Sequence, residues 1–114
     1  AEGWGLPAFN ATCLGKWSIV LNATSHKDWA TKDNSILVEP TGKIEAYDGT
    51  FFRKGSDFNQ GNIYDFSDDA AVAAIEKAVE LTLAGKKNDA GVALGQKLTY
   101  ANTLTHIRDV LTKV

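Results

Sequence analysis

From residue 67 onward the chain places large apolar residues at the spacing of one helix face: Val72, Ile75, Val79 and Leu83. Positions i, i+3, i+7 and i+11 share a single stripe of a 3.6-residue helix. Ala70, Ala71, Ala73, Ala74 and Ala78 fill the gaps, and alanine is the strongest intrinsic helix former. Ser67 has a side-chain oxygen suited to capping the first turn, and Asp68 and Asp69 place negative charge at the positive end of the helix dipole. Gly85 suits the left-handed residue that closes a helix. The pattern predicts a helix over 68–84, with its apolar stripe turned into the core.

The first half has a different texture. Residues 1–12 contain Gly3, Gly5 and Pro7 and read as an extended arm, pinned to the body by Trp4, Leu6 and Phe9. Residues 16–23 are rich in Trp, Ile and Val and read as a strand, as do residues 36–38. Residues 24–35 are polar and read as a loop, with Trp29 as its large apolar residue. Pro40 and Gly42 mark a turn. Asp48-Gly49 is a strong turn signal, because glycine accepts the positive φ of a tight hairpin. It predicts that strand 43–47 pairs with strand 50–53. Residues 91–100 read as a strand, with Val92 and Leu94 alternating. Residues 103–114 suit either a helix, through Leu104, Ile107, Val110 and Leu111 with Thr103 as cap, or a β-branched strand; the helical stripe is preferred. The expected fold class is α+β: an antiparallel sheet of about five strands packed with one clear helix (68–84) and a possible C-terminal helix. Residues 1–114 are expected to form a single domain.

Bulk properties exclude several functions. Net charge is −2 with both signs spread along the chain, which disfavours a nucleic-acid partner. No apolar run approaches the ~20 residues of a membrane span. A start at Ala1 fits a mature secreted protein and a trimmed chain equally well, and Asn10-Ala11-Thr12 and Asn22-Ala23-Thr24 are glycosylation sequons at Asn10 and Asn22. Cys13 is the one cysteine, so an internal disulfide is excluded.

Catalytic signatures are missing. Cys13, His26 and His106 are scattered, without the paired spacing of a zinc site. No phosphate loop is present: Gly91 to Lys97 lacks the Lys-Ser/Thr step. No enzyme activity, cofactor or metal is expected. Trp17 reads as a buried anchor, whereas Trp4 and Trp29 lie in contexts where an exposed ring would stack on a sugar or anchor a protein contact.

The stretch 9–60 resembles the cyanovirin-N homology family of lectins. Phe9-Asn10-Ala11-Thr12-Cys13 is similar to the family's opening segment, Leu21-Asn22-Ala23 to its first strand end, and Asn34-Ser35-Ile36-Leu37-Val38 to its middle strand. Ile44-Glu45-Ala46-Tyr47-Asp48-Gly49-Thr50-Phe51 is similar to its hairpin, and Asp57-Phe58-Asn59 to the segment after that hairpin. Ser25 stands near the place of the family's second cysteine, Ala46 replaces the hairpin asparagine, a second repeat is hard to find, and the helix at 68–84 has no equivalent. The resemblance implies a secreted, non-catalytic protein that binds mannose-type oligosaccharides. It maps the sugar site to Glu45, Tyr47, Asp48, Lys54, Gly55, Ser56, Asp57, Asn59 and Gln60. The alternative is a secreted protein-interaction module, an effector or inhibitor, that keeps a lectin-like scaffold without sugar binding. The oligomeric state is left open.

Overall fold

The structure, a computed structural model, describes residues 3–113. Its elements run α1 (Leu6–Cys13), β1 (Ile19–Leu21), a 3-10 helix (Thr24–Asp28), β2 (Ile36–Val38), β3 (Gly42–Glu45), β4 (Asn62–Asp65), α2 (Asp68–Leu83), α3 (Asp89–Lys97) and α4 (Tyr100–Thr112). The α+β class holds, but the expected architecture does not. Among the described residues four α-helices stand where one clear helix and a possible C-terminal one were expected, α4 taking the C-terminal place, and two separate two-stranded sheets replace the five-stranded antiparallel one. One sheet is parallel, with Ile19 opposite Ile36 and Leu21 opposite Val38. The other is antiparallel, with Ile44 opposite Ile63.

The expected extended arm is largely α1. Pro7 stands in its first turn, where a missing N–H costs nothing and the fixed φ favours a helix. At its far end Gly15, at φ 84°, donates to the Thr12 carbonyl while Lys16 donates to that of Ala11. This paired closure satisfies two orphan carbonyls. Helix α2 follows its sequence signals closely. The Ser67 hydroxyl accepts from the Ala70 N–H, and Gly85 and Lys86 close the last turn on Thr82 and Leu81.

The expected strand over 91–100 is helix α3, followed by the start of α4. Two glycines misdirect the reading, since glycine is poor in helices. Here they permit close packing against α1. A Cβ on Gly91 would overlap the Thr12 carbonyl oxygen, and one on Gly95 would sit 2.8 Å from the Cys13 Cβ. Helix α4 is capped by the Thr99 hydroxyl, which accepts from the Asn102 N–H, rather than by Thr103.

The core sits where α1, β1, β2 and α3 converge. Val20, Trp29 and Ala30 are buried, with Trp4, Ala8, Phe9, Leu37 and Leu94 packed against them. Phe9 meets Trp4 and Trp29 edge-on, each at 5.5 Å between ring centroids. The Trp29 indole N–H donates to the Trp4 carbonyl at 3.0 Å. Trp29 is thus a core residue and not a displayed ring. Trp17, expected as the buried anchor, is only half-buried.

Beneath this core Asn88 fastens three segments. Its fully buried side chain donates to the carbonyls of Lys16 and Asn34, and accepts from the Gly91 N–H to cap α3. Helix α2 packs on β1 and β2 with its small side, where Ala74 is buried. Its large apolar stripe faces outward, contrary to expectation: Val79 is 50% and Leu83 83% exposed. Alanines bring the helix backbone close to a three-residue sheet too short to cover longer side chains. The β3–β4 ribbon and α4 lie outside the core. The radius of gyration is accordingly 17.7 Å, against about 13 Å for a compact chain of similar length.

Candidate functional site

The ribbon β3–β4 carries a long loop, residues 46–61, closed at its base by the Ala46 N–H donating to the Gly61 carbonyl at 2.8 Å. Strand 43–47 therefore does not pair with 50–53, as Asp48-Gly49 suggested; it pairs with a strand on the far side of this loop. The Asp48-Gly49 turn exists within the loop. Gly49 takes φ 77°, and the N–H groups of Asp48 and Gly49 both donate to the Phe52 carbonyl.

Four polar side chains of the loop, those of Asp48, Ser56, Asn59 and Gln60, brace the loop itself. Asp48 Oδ1 accepts from the N–H groups of Thr50, Phe51 and Phe52 at 2.8, 2.8 and 3.0 Å. Those amides, Phe52 and Thr50 foremost, hold its carboxyl below the usual aspartate range. Gln60 Oε1 accepts from the Arg53 N–H, while Gln60 Nε2 donates to the Arg53 carbonyl and to Ser56 Oγ. Asn59 Oδ1 accepts from the Gly61 N–H at 2.7 Å, and its Nδ2 donates to Asn62. Phe51 is 82% and Phe58 72% exposed, Tyr47 is half-exposed, and Arg53, Lys54 and Asp57 are exposed as well.

Of the nine residues the resemblance maps to a sugar site, Glu45, Tyr47, Lys54 and Gly55 line one cleft of about 340 Å3 with Ala46. The Lys54 ammonium lies 4.9 Å from the centre of the Tyr47 ring, so one ring face is already occupied by a cation. Asp48, Ser56, Asn59 and Gln60 are engaged in the loop's own bonds, and Asp57 is exposed outside the cleft.

A larger groove, about 690 Å3, lies between β2 and α2. Trp17, Lys32, Asp33, Glu39, Lys77 and Lys86 line it together with Ile36, Leu37 and Leu81. Its Trp17 indole N–H donates to the Lys86 carbonyl at 2.8 Å. No spacing in the sequence announces this groove, because packing α2 on the parallel strands assembles it from distant segments.

The sequons differ in setting. Asn10 is exposed on α1, while Thr12 of the same sequon is fully buried, its hydroxyl 2.9 Å from both the Ala8 carbonyl and Ser18 Oγ. Asn22 is half-buried and donates to Glu39 at 2.8 Å. Burial raises the Cys13 thiol above its ordinary value. Among the described residues no cluster of three or more His, Cys, Asp or Glu is placed to hold a metal ion, and no helix is long and apolar enough to cross a membrane. No protein-family model matches the chain, and neither a curated protein nor a solved structure matches it.

Proposed function

We infer that this is a secreted, non-catalytic protein-interaction module whose recognition element is the 46–61 loop. The observation that carries the reading is the division of labour inside that loop. Its Asp48, Asn59 and Gln60 side chains bond to the loop backbone and to neighbouring polar side chains, while Phe51 and Phe58 stand exposed at its surface. A sugar site needs side-chain donors and acceptors that converge on hydroxyls. A protein contact needs large rings held on a pre-organised frame, ready to enter pockets on the partner. The departures from the lectin pattern at Ser25 and Ala46 favour the same reading. The two sequons, with Asn10 exposed, support secretion and glycosylation.

The cleft lined by Glu45, Tyr47, Lys54 and Gly55, with the resemblance over 9–60, supports a second reading: binding of mannose-type oligosaccharides. Two experiments separate the readings. Titration with mannose-rich oligosaccharides while recording backbone amide shifts tests the sugar; saturating shifts confined to 45–60 would establish it in place of the protein reading. Capture of extracellular proteins from the source organism, with a Phe51→Ser/Phe58→Ser variant as control, tests the partner. A protein held by the wild type and lost from the variant is the expected result; equal capture by both would overturn the proposal.

A further inference from the structure

Helices α2 and α4 each present an apolar stripe that is left about half or more exposed among the described residues. On α2 it runs through Val72, Ile75, Val79 and Leu83; on α4 through Leu104, Ile107 and Leu111, with Val110 at its side. The two stripes share one spacing, since 72, 75 and 79 repeat as 104, 107 and 111. They also share the position of one flanking charge. Glu76 follows Ile75, and Arg108 follows Ile107. Among the described residues the ion pair is Lys77–Glu80, so neither Glu76 nor Arg108 is engaged in one.

We propose that α4 of one copy lies antiparallel along α2 of a second copy, and that the reciprocal contact closes a two-fold dimer. Charge complementarity sets the orientation. When two helices with apolar a and d positions pack antiparallel, their e positions face each other, which brings Glu76 to Arg108. In that register Val79 meets Ile107 and Ile75 meets Leu111. Val110 enters the groove of about 260 Å3 bounded by Ile75, Ala78, Val79, Thr82 and Leu83, which exists because Ala78 is small. The same register at the second contact follows from the two-fold axis.

Own-chain closure is opposed by the α3–α4 joint. Asn102 Nδ2 donates to the carbonyls of Gln96 and Lys97 at 2.9 and 3.2 Å, and Thr99 caps α4. These bonds fix α4 to the end of α3, with Ile107 left 49% exposed. Area favours a second copy as well. Two reciprocal contacts cover on the order of 1,500 Å2 of surface, the size of a standard stable interface.

The test is a charge swap in trans, read by sedimentation velocity on the full chain at about 100 μM and below. Wild type is expected to sediment as a dimer. Glu76→Arg alone and Arg108→Glu alone each set like charges at both contacts and raise the dimer Kd by about tenfold or more. Mixed in equal amounts, the two variants regain both opposite-charge contacts and form a heterodimer. Both residues are exposed, and circular dichroism of each variant confirms that it folds. A monomeric wild type overturns the proposal, as do single variants that dimerise like wild type or a mixture that stays monomeric; the first of these outcomes would follow from α4 closing on its own α2.

Discussion

The side chain of Asn88 donates to the backbone carbonyl of Asn34 at 2.7 Å, joining positions 54 apart in sequence. The same amide group donates to Lys16, and its oxygen caps α3 through the Gly91 N–H. Three segments that share no regular secondary structure are thus held by one residue with no exposed surface. Asn88→Ala removes a helix cap and strands buried carbonyls, with an expected loss of about 2–4 kcal/mol. Asn88→Asp keeps the cap acceptor but points a carboxylate at two carbonyl oxygens, so it too is expected to destabilise. Urea unfolding of both variants checks this; an Asp variant as stable as wild type would show that the two donated bonds contribute nothing.

Gly91 and Gly95 invert the usual helix rule. In an isolated helix each Gly→Ala change is favourable by about 1 kcal/mol. In α3 the added methyl at Gly91 meets the Thr12 carbonyl and Asn88, and the one at Gly95 meets Cys13. Backbone cannot yield as a flexible side chain does, so Gly91→Ala is expected to cost about 3 kcal/mol and Gly95→Ala less. Thermal melts rank them. Equal or raised melting temperatures would mean that α1 and α3 are not in close contact.

These glycines also explain where the sequence could and could not be read. Helix α2 was legible because its signals are local: Ser67, Asp68, Asp69 and Gly85 act on their own backbone neighbours. Strand β2 was legible as Ile36–Val38, a run of three β-forming residues. Helix α3 was not, since Gly91 and Gly95 are selected by a partner helix and look like breakers without it. Strand β4 was hidden because its partner lies across the 46–61 loop, so the nearer Asp48-Gly49 turn drew the pairing to 50–53. The stripe on α2 was seen, but its direction was not, because periodicity defines a face and leaves open which side of the helix the fold covers. At the candidate site the position of the loop was legible. That Asp48 bonds inward was not, since this depends on where the backbone amides of Thr50 to Phe52 point.

Asp48 gives the loop a pH dependence of known sign. Amide donors, those of Phe52 and Thr50 first, lower its folded value below that of the unfolded chain. Its contribution is therefore present in full above the ordinary aspartate range and lost as pH falls through the lowered folded value. Amide shifts of Thr50, Phe51 and Phe52 are expected to move together in that acid window. Asp48→Asn keeps an acceptor oxygen and should abolish this titration while leaving the loop ordered; Asp48→Ala should release all three amides. An Asp48 carboxyl that titrates at its ordinary value in an NMR titration would contradict the three bonds.

Phe51 and Phe58 separate display from folding. A ring held for packing would be buried, and its loss would leave a cavity costing about 3–5 kcal/mol. Both rings are instead largely exposed, beside a loop braced by Asp48, Gln60 and Asn59. Phe51→Ser and Phe58→Ser are each expected to shift unfolding free energy by no more than about 0.5 kcal/mol. Their amide spectra should change only within 46–61. Gln60→Ala, by contrast, removes the bonds to Arg53 and Ser56 and should broaden or disperse the loop resonances while the rings remain. If the Phe variants unfold early and Gln60→Ala does not, the rings are structural, and recognition has to be sought elsewhere, beginning with the groove beside Trp17.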